Sequence, residues 1–148
     1  MDAYIIIGNR NTRKASLVRS LTGCVSRSVR DIQLQTAKKP QRFYVRVGTL
    51  QDTRVTVEQF IAEVSRSRAE AVLFCLSPDP YKTDTTEFPG AQAYLTALRE
   101  RGWRIQAVAV LGQNTGGISA SNLRQYITAP TAPVNVTARD VRVQFGWV

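Results

Sequence analysis

With 148 residues, 43% apolar and 21% charged, the chain is long and apolar enough to fold around its own core, which excludes a disordered tail. It has no histidine. That excludes His-ligated metals, Ser–His and Cys–His pairs and histidine bases, so any chemistry rests on carboxylates, lysine, hydroxyls and backbone amides. The net charge of +9 is uneven: residues 1–54 carry eleven Lys/Arg against three acids, residues 55–148 nine against eight. Such asymmetry suits an anionic partner of the N-terminal half, whether phosphate, nucleic acid or acidic protein, and equally suits a solvated basic surface.

The longest apolar run, Ala71 to Leu76, is too short to cross a bilayer, and Met1-Asp2-Ala3-Tyr4 lacks the features of a secretion signal. A cytoplasmic chain without a membrane span is expected. Cys24 and Cys75 belong to no paired motif, and Cys75 reads as a reduced, buried thiol. No repeat or linker divides residues 1–148, so a single domain is expected.

In chain order, Tyr4-Ile5-Ile6-Ile7 is a β-branched run ending at Gly8, as in a buried parallel strand. From Lys14 to Thr22, Leu17, Val18 and Leu21 share a helical face, with Gly23 as the stop. Ile32 and Leu34, then Phe43, Val45 and Val47, alternate with polar residues around the turn Lys38-Lys39-Pro40-Gln41. This pattern predicts an antiparallel hairpin between the second and third strands. Val57, Phe60, Ile61 and Val64 recur at helical spacing. Ala71–Leu76 predicts a central strand, Ala91 to Leu98 a helix closed by Gly102, and Ile105–Leu111 another buried strand. A short helix is expected over Ser119–Tyr126. The tail Val134–Val148 is expected to be β, from the alternation of Val141, Val143 and Phe145. The fold class expected is α/β, a three-layer α/β/α sandwich on a mostly parallel sheet, with ligands collecting at the C-terminal strand ends.

Between the first strand and first helix stands Gly8-Asn9-Arg10-Asn11-Thr12-Arg13-Lys14-Ala15-Ser16. The phosphate-loop pattern G-x-x-x-x-G-K-[ST] is matched at Gly8 and Lys14. Arg13 replaces the second glycine, and Ala15 the hydroxyl that holds magnesium. Independently of any family, a loop opening a helix points free N–H groups and a positive dipole end at an anion. Arg13 either crowds that approach or, with Arg10, adds guanidinium groups that pair with phosphate. Ser16, one helical step late, is turned away from the position of Ala15, so Mg2+ is poorly provided for. An ordinary β–α turn is the alternative.

On this loop the chain resembles P-loop NTPases, and in element order the Ras-like branch. The resemblance implies ATP or GTP bound by the backbone of residues 9–14 and by Lys14. Asp52, after the third strand, is the possible acidic partner for a metal. Asp79, between Pro78 and Pro80, reads as a turn former. The guanine-reading N-K-x-D is absent near Leu111-Gly112-Gln113-Asn114. The function expected is nucleoside-phosphate binding with weak or lost hydrolysis, as a switch or interaction module.

Another class of function is also open. Arg27, Arg30, Lys38, Lys39, Arg42, Arg46 and Arg54 cluster around the hairpin and suit nucleic-acid phosphates. Phe43 is expected in the core by its alternation. Trp103 and Trp147 read as packing or interface residues. A basic nucleic-acid-binding or assembly protein, or a subunit of a larger complex, is the second reading.

Overall fold

The computed structural model describes residues 1–148. The strands are β1 (Asp2–Gly8), β2 (Arg27–Ile32), β3 (Gln41–Thr49), β4 (Ala71–Leu76), β5 (Arg104–Leu111) and β6 (Leu123–Tyr126). The helices are α1 (Lys14–Thr22), α2 (Val57–Ser67), α3 (Ala91–Glu100) and α4 (Val134–Phe145). One six-stranded sheet runs in the order β2-β3-β4-β1-β5-β6, with β2 antiparallel to β3 and every other pair parallel.

The side-chain alternation of β1 sorts the core into two halves. Tyr4 and Ile6 point to the face where Leu17 and Val18 of α1 meet Val141 and Phe145 of α4. Ala3, Ile5 and Ile7 point to the other face, under Phe60 and Val64 of α2 and Tyr94, Leu95 and Leu98 of α3. Helices therefore cover both sides of a sheet whose central strands β1 and β4 are almost wholly buried, the arrangement that apolar β-branched runs favour. No helix is long and apolar enough to cross a membrane.

Two expectations at the C-terminal end exchange places. Ser119–Tyr126 holds no helix: Leu123–Tyr126 is β6, pairing from Val108↔Leu123 to Leu111↔Tyr126. Ser119, Ser121 and Asn122 favour turns over helix, and pairing satisfies the otherwise open edge of β5. The tail is helix and not strand. Thr137, Val141 and Phe145, four residues apart, are buried, whereas Val143 is 66% exposed. A period of 3.6 therefore overrides the apparent alternation.

The hairpin is present but lies further toward the N-terminus than its sequence pattern implies. β2 ends at Ile32, and Leu34 instead forms an isolated antiparallel bridge with Trp147. Trp147 is buried against Tyr4, Phe43 and Phe145, with ring centroids 5.2–5.7 Å apart, so it is a packing residue. Trp103 packs on Phe60 at 5.9 Å. Phe43 is fully buried, and both cysteines are free and buried.

Candidate functional site

The β1–α1 loop is shaped by close approach. A Cβ built on Gly8 would stand 2.3 Å from Thr12 Oγ1, so only glycine fits at the end of β1. Thr12 Oγ1 donates to Asn9 O at 2.7 Å, drawing the loop into a tight curl. Asn11 and Arg13 both adopt left-handed backbone, φ 67° each. For Arg13, which occupies the N-cap of α1 without a side-chain cap, this costs about 1 kcal/mol.

The curl leaves its amides free. The first helical bond runs from Leu17 N to Arg13 O at 3.0 Å, and no backbone N–H from Asn9 to Arg13 donates to a protein acceptor. A run of free donors at a helix N-terminus is an electropositive hollow.

Lys14 completes it. The residue is only 8% exposed, and its Nζ donates to Gly8 O at 2.6 Å and Asn9 O at 2.9 Å. An ammonium group has three protons, so one donor remains. Burial pulls the Lys14 pKa down, because the charged form gives up water. Beneath it, burial pushes the Cys75 thiol up to about 12, which leaves an inert small hydrophobe.

The loop opens onto a cavity of about 410 Å³ at the C-terminal ends of β1, β3 and β4. Asn9, Arg10 and Lys14 line one side, Gln51 and Asp52 another, and Ser77 with residues 79–83 the rest. Such crevices are where open α/β sheets place ligands.

Gln51 is buried and holds the strand ends together. Its Nε2 donates to Ser77 O (2.9 Å) and Pro89 O (3.1 Å), and its Oε1 accepts from Ser77 N (3.0 Å). Asn114 bridges the rim: its Nδ2 donates to Asn9 Oδ1 at 3.3 Å and Asp79 Oδ2 at 3.4 Å. No motif marks Gln51, Asn114 or Tyr81 in the sequence. Asn114 stands in the segment that lacks the N-K-x-D motif, and Gln51 follows its strand with no special spacing.

The expected phosphate-loop residues divide. Gly8 and Thr12 shape the curl, and Asn9, Arg10 and Lys14 face the cavity. Arg13 neither crowds the hollow nor reaches into it, because its guanidinium donates to Ala132 O at 2.9 Å on the side of α4. Ala15 packs on the core, Ser16 is exposed on the helix, and neither Asn11 nor Ser16 lines the cavity.

For a magnesium ion the wall offers two carboxylates and no more: Asp52, 3.9 Å from Arg10, and Asp79, which accepts from Asn114. No hydroxyl stands where the loop would supply one.

The basic hairpin is not one available patch. Arg46 is buried, and its Nη1 donates to both Glu63 oxygens at 2.9 Å and its Nη2 to Thr53 at 3.2 Å. Its guanidinium therefore lies inside the protein and not on the basic surface expected for a nucleic-acid site. Arg27 shares Glu63 at 2.7 Å, and Arg30 is tied to Ser28 and Val29 O. Lys38, Lys39, Arg42 and Arg54 are exposed.

The chain is thus an α/β protein with a six-stranded mixed sheet and four helices, carrying a polar cavity at its strand ends. Compared with protein-family models, curated proteins and solved structures, it matches none.

Proposed function

We propose that the chain binds a nucleoside phosphate, ATP or GTP, through the backbone of residues 9–14 and Lys14, acting as a switch or interaction module with slow or no turnover. One observation carries this reading: Asn9 and Arg10, whose amides have no protein acceptor, share the cavity wall with a buried ammonium that has one donor left. Free amides and a cation at a helix N-terminus suit a multiply charged oxyanion. The order of elements and the loop's resemblance to P-loop NTPases point the same way.

Slow turnover follows from what surrounds the hollow. Phosphoryl transfer depends on charge neutralisation and an oriented water. The loop supplies no metal-holding hydroxyl, and the Arg10 guanidinium near Asp52 competes with a cation for that carboxylate.

Nucleic-acid binding through the hairpin is less well supported, because Arg46, Arg27 and Arg30 already have protein partners.

The test is thermal melting with ATP or GTP, each with and without magnesium. A ligand present at 100 times its Kd raises stability by about 2.7 kcal/mol. A melting temperature unmoved by either nucleotide at millimolar concentration would refute the reading.

A further inference from the structure

Tyr81 is the one aromatic side chain of the protein that is not buried. It is also the one aromatic residue on the cavity wall. The other eleven aromatic side chains are all buried, so Tyr81 alone leaves part of its ring to water. Here the ring stays at the edge of a cavity whose other wall residues are polar, charged or proline.

The ring is held there by its own short loop. Tyr81 N donates to Phe88 O at 2.9 Å, Asp84 N to Tyr81 O at 3.2 Å, and Phe88 N to Asp84 O at 3.2 Å. Phe88 is buried and meets the Tyr81 ring edge-on, centroids 6.0 Å apart at 83°. The Arg54 guanidinium lies over the ring, 5.8 Å from its centroid, and is not among the residues of the cavity wall. The same cavity wall thus carries the loop residues Asn9, Arg10 and Lys14 and the aromatic ring of Tyr81.

We infer that Tyr81 is the base-stacking residue of this cavity, so that the ligand class is a purine nucleoside phosphate and not a bare phosphate or polyphosphate. The inference rests on the phosphate-loop reading above. Stacking tolerates any purine, because each presents a π-face. Edge readout is weak: the Gln51 amide is spent on Ser77 and Pro89, and the flanking Lys82 and Thr83 are exposed. ATP and GTP therefore bind alike.

The experiment is calorimetric titration of the full chain with ATP, GTP and inorganic tripolyphosphate, repeated on Tyr81→Ala and Tyr81→Phe, with circular dichroism confirming that each variant is folded. Both nucleotides are expected to bind wild type within a few-fold of each other and on the order of 10- to 100-fold tighter than tripolyphosphate. Tyr81→Ala brings the nucleotides down to the level of tripolyphosphate and leaves tripolyphosphate unchanged, while Tyr81→Phe binds like wild type.

Equal affinity of wild type for tripolyphosphate and ATP, or undiminished nucleotide affinity in Tyr81→Ala, overturns the stacking role and leaves the phosphate loop standing. Failure of all three compounds to bind wild type overturns both.

Discussion

Lys14 folds back on the strand that precedes it, its Nζ 2.6 Å from the carbonyl oxygen of Gly8. The ammonium is thereby fixed over the start of the loop, six residues behind it, so a phosphate bound as proposed would meet a cation already oriented. Lys14→Ala is expected to abolish the nucleotide-dependent rise in melting temperature while the chain still unfolds cooperatively. A rise equal to that of wild type would place the site elsewhere.

Burial depresses the Lys14 pKa, which fixes the sign of two pH effects. The unfolded chain holds that proton to higher pH than the folded one. Lys14 therefore penalises folding below its folded pKa, and the penalty is relieved as pH rises through that value toward 10.5. Ligand binding needs the charged form and runs the opposite way. Nucleotide affinity followed by calorimetry as pH is raised toward 10.5 is expected to fall while exposed lysines are still charged, and Lys14→Arg is expected to flatten the profile. A wild-type affinity constant up to pH 10 would contradict this.

Gly8→Ala places a methyl group 2.3 Å from Thr12 Oγ1. A loss of about 1–3 kcal/mol in urea unfolding is expected, together with loss of nucleotide binding as the curl opens. Adding Thr12→Ala removes the clashing oxygen and is expected to recover part of the stability. Full wild-type stability in Gly8→Ala would show that the loop relaxes freely.

Arg13 sits at φ 67° with its guanidinium turned to Ala132. Arg13→Gly is expected to raise stability by about 0.5–1 kcal/mol, because the left-handed strain exceeds the entropy cost of glycine and the single exposed hydrogen bond. Nucleotide affinity is expected to stay within about twofold, since the side chain is outside the cavity. A tenfold loss, measured by calorimetry, would bring Arg13 back among the phosphate contacts.

Arg46 and Glu63 form a largely buried pair, with side chains 10% and 16% exposed, and Arg27 joins them from a surface position at 60%. Glu63→Gln leaves the Arg46 charge in the interior and is expected to cost about 2–4 kcal/mol in urea unfolding. Arg27→Ala is expected to cost about 0–1 kcal/mol. Equal losses from the two would make the pair an ordinary surface contact.

How far the sequence foretold this depends on which force decided each element. β1, β4 and β5 are read from uninterrupted apolar runs because they are buried on both faces, and burial is what composition reports. α1 and α2 are equally plain, their apolar stripes ending at Gly23 and beginning at the capping box of Thr56 and Gln59. The tail misled because Val141, Val143 and Phe145 fit two periods at once. Only the packing of Thr137, Val141 and Phe145 on the sheet chooses between them.

β6 carries almost no apolar signal, with Tyr126 its only buried side chain, so it exists through pairing with β5. In the site, Gly8 and Lys14 were visible from spacing. The direction of Arg13, the pairing of Arg46 with Glu63 and the placement of Tyr81 depend on contacts between residues distant in the chain, which no local pattern encodes.

Gln51 has one further consequence, for how anything gets in. Its three hydrogen bonds join the ends of β3 and β4 to the start of α3, and prising those strands apart would strand a buried amide and two carbonyls. That route is closed under native conditions. A ligand of the proposed kind would instead come in from the side where Arg10, Asp52 and Lys82 of the wall meet solvent, with no strand displaced.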